Sequence, residues 1–269
     1  MSSTAVRRTA LAASATALAL LVTACGGSSD DDGAAGDDKV KADRSAPAAD
    51  KSAESAPAGR ALTAAELEKV ALTPSDVKNG EVTTKVPAKD DIAKDQVSTD
   101  DKACLPLALG QSAVAQGEPA ASVKRSWHGQ TEAPSRSKGP DGRDMTTISV
   151  DKIMLNLASY ADGGAEQALQ ELRTAAEKCA GGFVATSGDD KLKIAEVTTA
   201  SAPKGGDEAV AINIGVDIGK DTNGLMKLVV VRKGATLASF SAVNLSSMMT
   251  GAEFQVAADV VDAQVAKLG

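Results

Sequence analysis

Aromatic side chains are scarce in this chain: Trp127, Tyr160, Phe183, Phe240 and Phe254 are the only five in 269 residues. The core must therefore come from Ala, Val, Leu and Ile, and a sugar site walled by stacked rings is hard to assemble. His128 is the sole histidine, so any Ser-His-Asp triad would have to use it. The sequence holds no GxSxG, HExxH, GxGxxG or Walker-type glycine loop, and no Cys/His group spaced for zinc. The sequence thus predicts no enzyme, no cofactor and no metal. Cations are the minority charge, 29 Lys and Arg against 36 Asp and Glu. That balance argues against nucleic acid as a partner, because affinity there depends on neutralising phosphates. A membrane-crossing run of roughly 20 apolar residues is also missing. The longest, Ala10 to Val22, has 13 residues and is interrupted by Ser14 and Thr16.

That short run has a meaning of its own. Arg7 and Arg8 precede it and the small residues Thr23 and Ala24 follow, which is the layout of a secretory signal. The order Leu21-Val22-Thr23-Ala24-Cys25-Gly26 resembles the lipobox of bacterial lipoproteins. The resemblance implies that residues 1–24 are a signal peptide and that Cys25 is the lipid attachment site, carrying diacylglycerol and palmitate. The chain would then sit on the cell membrane, facing outside the cytoplasm. Two or three acyl chains would hold it far more firmly than one. Loss of Arg7 and Arg8 leaves 27 basic against 36 acidic residues, a net −9, so the surface adds no attraction to anionic lipid.

Residues 25–60 read as a disordered, lipid-anchored linker. Gly, Ser, Ala, Pro and Asp dominate Gly26 to Arg60, with Val40 the one large apolar residue. Its 35 residues span roughly 30 Å root-mean-square, more if Asp30-Asp31-Asp32 and Asp37-Asp38 stretch it. The acidic run lacks the alternating ligands and glycine of a calcium loop. With Cys25 acylated, Cys104 and Cys179 remain. In an exported chain an even remainder reads as one disulfide, with two buried free thiols as the alternative. Closing a loop of this size stabilises a fold by about 4 kcal/mol in the chain-entropy model.

Residues 61–269 read as one extracytoplasmic domain. Thr63-Ala64-Ala65-Glu66 is a capping box, predicting a helix over 64–71. Thr73-Pro74 starts a turn, and 81–86 reads as a brief strand. Residues 88–99 read as loop, and 102–109 as a short helix presenting Cys104. Ala121 to Gly129 reads as an edge strand, with Val123, Arg125 and Trp127 on one face. Gln130 to Arg143 reads as an exposed loop. Thr146 to Leu157 reads as a strand with a bulge at Asp151-Lys152. Ala165, Ala168, Leu169, Leu172, Ala176 and Cys179 mark an amphipathic helix ended by Gly181-Gly182. Strands follow at 183–186 and 192–198, then at 209–218, 225–232 and 236–245, the last three joined by turns short enough to force antiparallel pairing. A final helix is expected over 253–268, with Met248-Met249 packed beneath it. The fold class is therefore α+β, a single domain in which two long amphipathic helices pack on one face of an antiparallel sheet.

Arg125, Trp127 and His128, beside a polar loop, are the candidate ligand-contacting residues, since Trp and Arg are common anchors. The bland reading puts Trp127 in the core and His128 in water. Asp207-Glu208 reads as a solvated turn, because adjacent strand residues face opposite sides.

Cys104 in a short helix, Cys179 closing the central helix, the Gly206-Asp207-Glu208-Ala209-Val210 strand opening and a terminal helix together resemble the PknH-like extracellular sensor domains of receptor Ser/Thr kinases. The resemblance implies an α+β sandwich with a groove for a ligand. The chain departs from that family in two ways: it has cysteines for one bridge where the family has two, and no Trp precedes Cys179. The function expected is a membrane-anchored extracytoplasmic lipoprotein with a non-catalytic sensor domain binding a small ligand or an envelope protein. The second expectation is a lipid or glycolipid carrier.

Overall fold

The unbroken run Leu228-Val229-Val230-Val231 marks a strand covered on both faces, because alternate residues of a strand point to opposite sides. The computed structural model describes residues 59–131, 135–138, 143–147, 149–219 and 222–269. The expected signal peptide, Cys25 and nearly all of the linker lie outside the described residues. The strands are β1 (Glu81–Thr83), β2 (Val97–Thr99), β3 (Ala121–Gly129), β4 (Ser135–Lys138), β5 (Asp144–Thr147), β6 (Asp151–Ser159), β7 (Phe183–Ser187), β8 (Asp190–Ala200), β9 (Glu208–Asp217), β10 (Asn223–Lys233) and β11 (Thr236–Asn244). The helices are α1 (Ala64–Val70), α2 (Leu105–Gln111), α3 (Gly164–Lys178), α4 (Leu245–Thr250) and α5 (Ala258–Lys267).

Nine strands form one sheet in the order β1-β3-β6-β11-β10-β9-β8-β7-β2, and β4 pairs with β5 separately. Every pairing is antiparallel. The α+β class and the antiparallel sheet hold. The layering differs from the expectation: the two long helices pack on opposite faces. Leu228 and Val230 of β10 join Leu169 and Leu172 of α3, Leu107 of α2 and Ile212 and Ile214 of β9 in one core. Val229 and Val231 join Val260 and Val261 of α5, Leu67 of α1 and Phe240 of β11 in the other. A sheet apolar on both faces needs a cover on each, and the run in β10 carried that information.

Other departures are local. β3 is not an edge, because Glu81–Thr83 pairs outside it, with Val82 opposite Trp127. The stretches read as loops at 88–99 and 130–143 contain β2 and β4. The bulge expected at Asp151 is absent: Asp151 opens β6, which pairs with β3 and β11 without a register shift. There the buried Asp151 carboxylate accepts from Asn244 Nδ2 at 2.7 Å and from Thr131 N and Oγ1 at 2.7 Å. The final helix starts at Ala258; Phe254 is buried ahead of it in non-helical chain. Met248 and Met249 lie in α4 instead of under α5, Met248 against the α2–α3 core and Met249 in solvent. The capping box of α1 is present, Thr63 Oγ1 accepting from Glu66 N and Glu66 accepting from Thr63 N at 2.9 Å.

Candidate functional site

A helix is about 10 Å wide and strands are spaced about 4.8 Å apart, so two helices cover only part of a nine-stranded sheet. α1 and α5 lie over β3, β6, β11 and β10. On that same face β8 and β9 are left open, and a groove forms between them and α5. Its wider part, about 230 Å³, has Ala211, Val229 and Asn213 on the floor. Val256, Ala258 and Val261 form one apolar wall, Ala200 and Pro203 the other. A narrower part, about 140 Å³, continues along β9 and adjoins the first at Asn213. There the lining turns polar, with Glu196, Thr198, Asn223 and Glu253 around Gly215 and Gly224.

Local sequence explains the shape. Along β9 the residues on the α3 side are Val210, Ile212, Ile214 and Val216, all buried, whereas the groove side carries Ala209, Ala211, Asn213 and Gly215. Small side chains keep the floor low. At Gly215 a Cβ would stand 2.8 Å from Glu196 Cγ, so the bare backbone lets Glu196 lie across the floor. Asn213 sits where apolar and polar parts meet, and its Oδ1 is buried without a hydrogen-bond partner. An unmet buried acceptor costs about 1–3 kcal/mol.

The α5 wall is fixed to the rest of the fold. Gln264 is fully buried; its Oε1 accepts from Leu72 N at 3.0 Å and its Nε2 donates to Val70 O at 2.8 Å. Lys267 Nζ donates to Asp76 at 2.8 Å, and that hydrogen bond holds the Asp76 carboxyl below its ordinary range against the opposing effect of burial. At the polar end Lys227 Nζ bonds Glu253 at 2.7 Å and lies 5.2 Å from the Phe254 ring centre. The site is therefore a trough with an apolar half, a polar half edged by carboxylates, and an amide between them.

The residues singled out from sequence lie elsewhere. Arg125 is 5 % exposed and faces the protein interior. Its guanidinium donates to Leu72 O at 3.0 Å, Thr84 O at 3.3 Å, Lys124 O at 2.9 Å and Glu68 at 2.5 Å. Trp127 is buried, its indole N–H donating to Asn79 O at 2.8 Å. Gly80 and Gly129 make room for that ring: a Cβ at either would stand 2.2–2.6 Å from its atoms. His128 is exposed at the end of β3. The three share a strand and do not converge on a cleft. Cys104 and Cys179 are joined by a disulfide with Cα atoms 5.8 Å apart, stapling the start of α2 to the end of α3 on the face away from the groove. Asp207 and Glu208 are more than a solvated turn. Arg232 donates to Glu208 at 2.9 Å, and Arg173 of α3 reaches Glu208 at 2.8 Å, lowering its pKa.

Among the described residues no helix is long and apolar enough to cross a membrane, and no group of His, Cys, Asp or Glu is placed to hold a metal ion. No family model and no curated protein matches the chain. Among solved structures, the extracellular domain of PknH from Mycobacterium tuberculosis is similar over 78 % of this chain and 95 % of that chain, with 11 % identity and a TM-score of 0.46.

Proposed function

We propose that the chain is an extracytoplasmic lipoprotein, anchored through Cys25, whose domain binds an amphiphilic small ligand in the α5–β9 groove without transforming it. The observation that carries the reading is Asn213. A buried amide oxygen without a partner stands between a wall of Val256 and Val261 and a carboxylate-edged polar end. A ligand suited to this trough has an apolar body, a hydrogen-bond donor at its junction and a hydroxylated or cationic head toward Glu196, Glu253 being paired with Lys227. The polar end carries two carboxylates but no histidine and no activated nucleophile, which supports binding and not turnover. Export rests on the N-terminal signal pattern and agrees with a disulfide between the two remaining cysteines.

The carrier reading fits less well. Pockets that bury a drug-sized molecule run from about 300 to 1,000 Å³. The apolar part here is smaller, about 230 Å³, so it holds one segment of a ligand and leaves long acyl chains outside. Native mass spectrometry of the full-length chain released in mild detergent tests both. A bound small amphiphile that is lost in Asn213→Leu is expected. An empty protein overturns the binding reading, and stoichiometric long-chain lipid restores the carrier.

A further inference from the structure

The opposite face has an uncovered part of its own. α2 and α3 lie over β7 to β10, and a cleft of about 430 Å³ opens beside them, above β3 and β6. One wall is the segment 91–94 with Ile92; the other is the segment 114–119 with Val114, Ala115 and Pro119. Ser122, Lys124 and Asn156 form the floor. Asn156 is 1 % exposed, and its Nδ2 has no hydrogen-bond partner. On the same face of β3, two residues beyond Lys124, Ser126 Oγ is also buried and unpaired.

The charges around this floor are already matched. Lys124 Nζ donates to Asp91 at 2.9 Å and to Ile92 O at 2.6 Å. Lys94 Nζ donates to Gly117 O at 2.5 Å and to Glu118 at 2.7 Å. The Lys94 bonds join one wall to the other across the cleft. An ion pair this exposed is worth at most about 1 kcal/mol, so it is a clasp that opens readily. Tyr160 Oη donates to Gln116 O at 2.9 Å and steadies the second wall from below.

What remains to recognise a ligand is an uncharged carboxamide among small apolar walls. A carboxamide sets a donor beside an acceptor, and another amide complements it whichever end turns inward. We propose that this cleft binds an uncharged ligand through a secondary amide, paired with Asn156, whose small apolar substituent rests on Ile92, Val114 and Ala115. An N-acetylated amino sugar and a short peptide both present that chemistry. The proposal is separate from the α5–β9 groove and does not depend on it.

Saturation-transfer NMR on the full-length chain, held in a sugar-free detergent, tests it with three probes: N-acetylglucosamine, N-acetylalanine methylamide and glucose. Saturation of the acetyl methyl in either amide, with none in glucose, is the expected result. A response to the sugar alone or to the peptide alone identifies the source, and either supports the shared chemistry. Asn156→Leu is expected to weaken binding about tenfold, which is 1.4 kcal/mol. Ser122→Leu, at an exposed floor position, narrows the cleft while keeping the Asn156 amide and is expected to weaken the signal. Silence from both amides, equal binding of glucose, or unchanged affinity in Ser122→Leu overturns the proposal.

Discussion

The two faces of the sheet are covered by different means and at different places. On one face α2 and α3 are joined covalently through Cys104–Cys179 and sit over β7 to β10. On the other, α1 and α5 are held by the buried Gln264 amide, the Asp76–Lys267 bond and the Arg125 hydrogen bonds, and sit over β3 to β10. The two covers overlap on β10 and extend from it in opposite directions, so the open areas lie diagonally across the sheet. The lesson is that a sheet too wide for its helices gains two clefts with opposite exposures. Their separation follows from topology before any side chain is chosen.

Four perturbations act unequally on the two faces. Reduction, or the pair Cys104→Ser and Cys179→Ser, removes the staple on one face only. A loss of about 4 kcal/mol in urea unfolding is expected for a loop of 75 residues. Gln264→Leu attacks the other cover and leaves Leu72 N and Val70 O without their partner. The expected cost is about 2 kcal/mol, with hydrogen-exchange protection lost in α5 while α3 keeps its own. Acid acts more weakly and on both faces. The Asp76 carboxyl is lowered by its bond to Lys267, and Glu208 is lowered first by Arg173 and then by Arg232. Each contribution is complete above the ordinary carboxylate value near pH 4 and is lost as the pH falls through the lower native value. Urea midpoints measured from pH 7 to pH 2.5 are expected to fall less in Asp76→Asn than in the wild type. The smallest effect is expected at Met249, 69 % exposed on α4. Met249→Ser is expected to stay within about 0.5 kcal/mol by the same urea assay.

Much of this fold was legible in the sequence because it is written in alternation. The α1 capping box, the α3 stripe and the β9, β10 and β11 strands fall within two residues of their expected bounds. Strands β1, β2 and β4 have three or four residues each, too few for a periodic signal, and their pairing is decided by tertiary contact. The disulfide followed from cysteine parity. The clefts were far less legible. Arg125 and Trp127 stand out in the sequence because Arg and Trp are strong anchors, yet here they anchor the protein to itself. The groove floor instead uses Ala211, Asn213 and Gly215, whose only sequence signal is that they are small or polar opposite Ile212 and Ile214. Asn156 was hidden in an apolar strand between Leu155 and Leu157, and its solitude there was the clue. Opposite faces for α3 and α5 were readable from Leu228 to Val231, since four consecutive buried residues require two covers.

Strand β11 has a temporal consequence. It stands between β6 and β10, and its pairing with β6 joins Thr236 to Ser159 across 77 positions. Synthesis runs from the N-terminus, so β1, β3 and β6 exist long before the strand that ties them to the rest of the sheet. Until residue 244 has emerged, the side of β6 that pairs with β11 is an unpaired edge bearing Leu155 and Leu157. Such edges invite pairing with other chains, and non-local pairings of this kind form slowly. Assembly of this domain is thus a late event in the life of the chain, and its risk of aggregation is concentrated before β11 arrives.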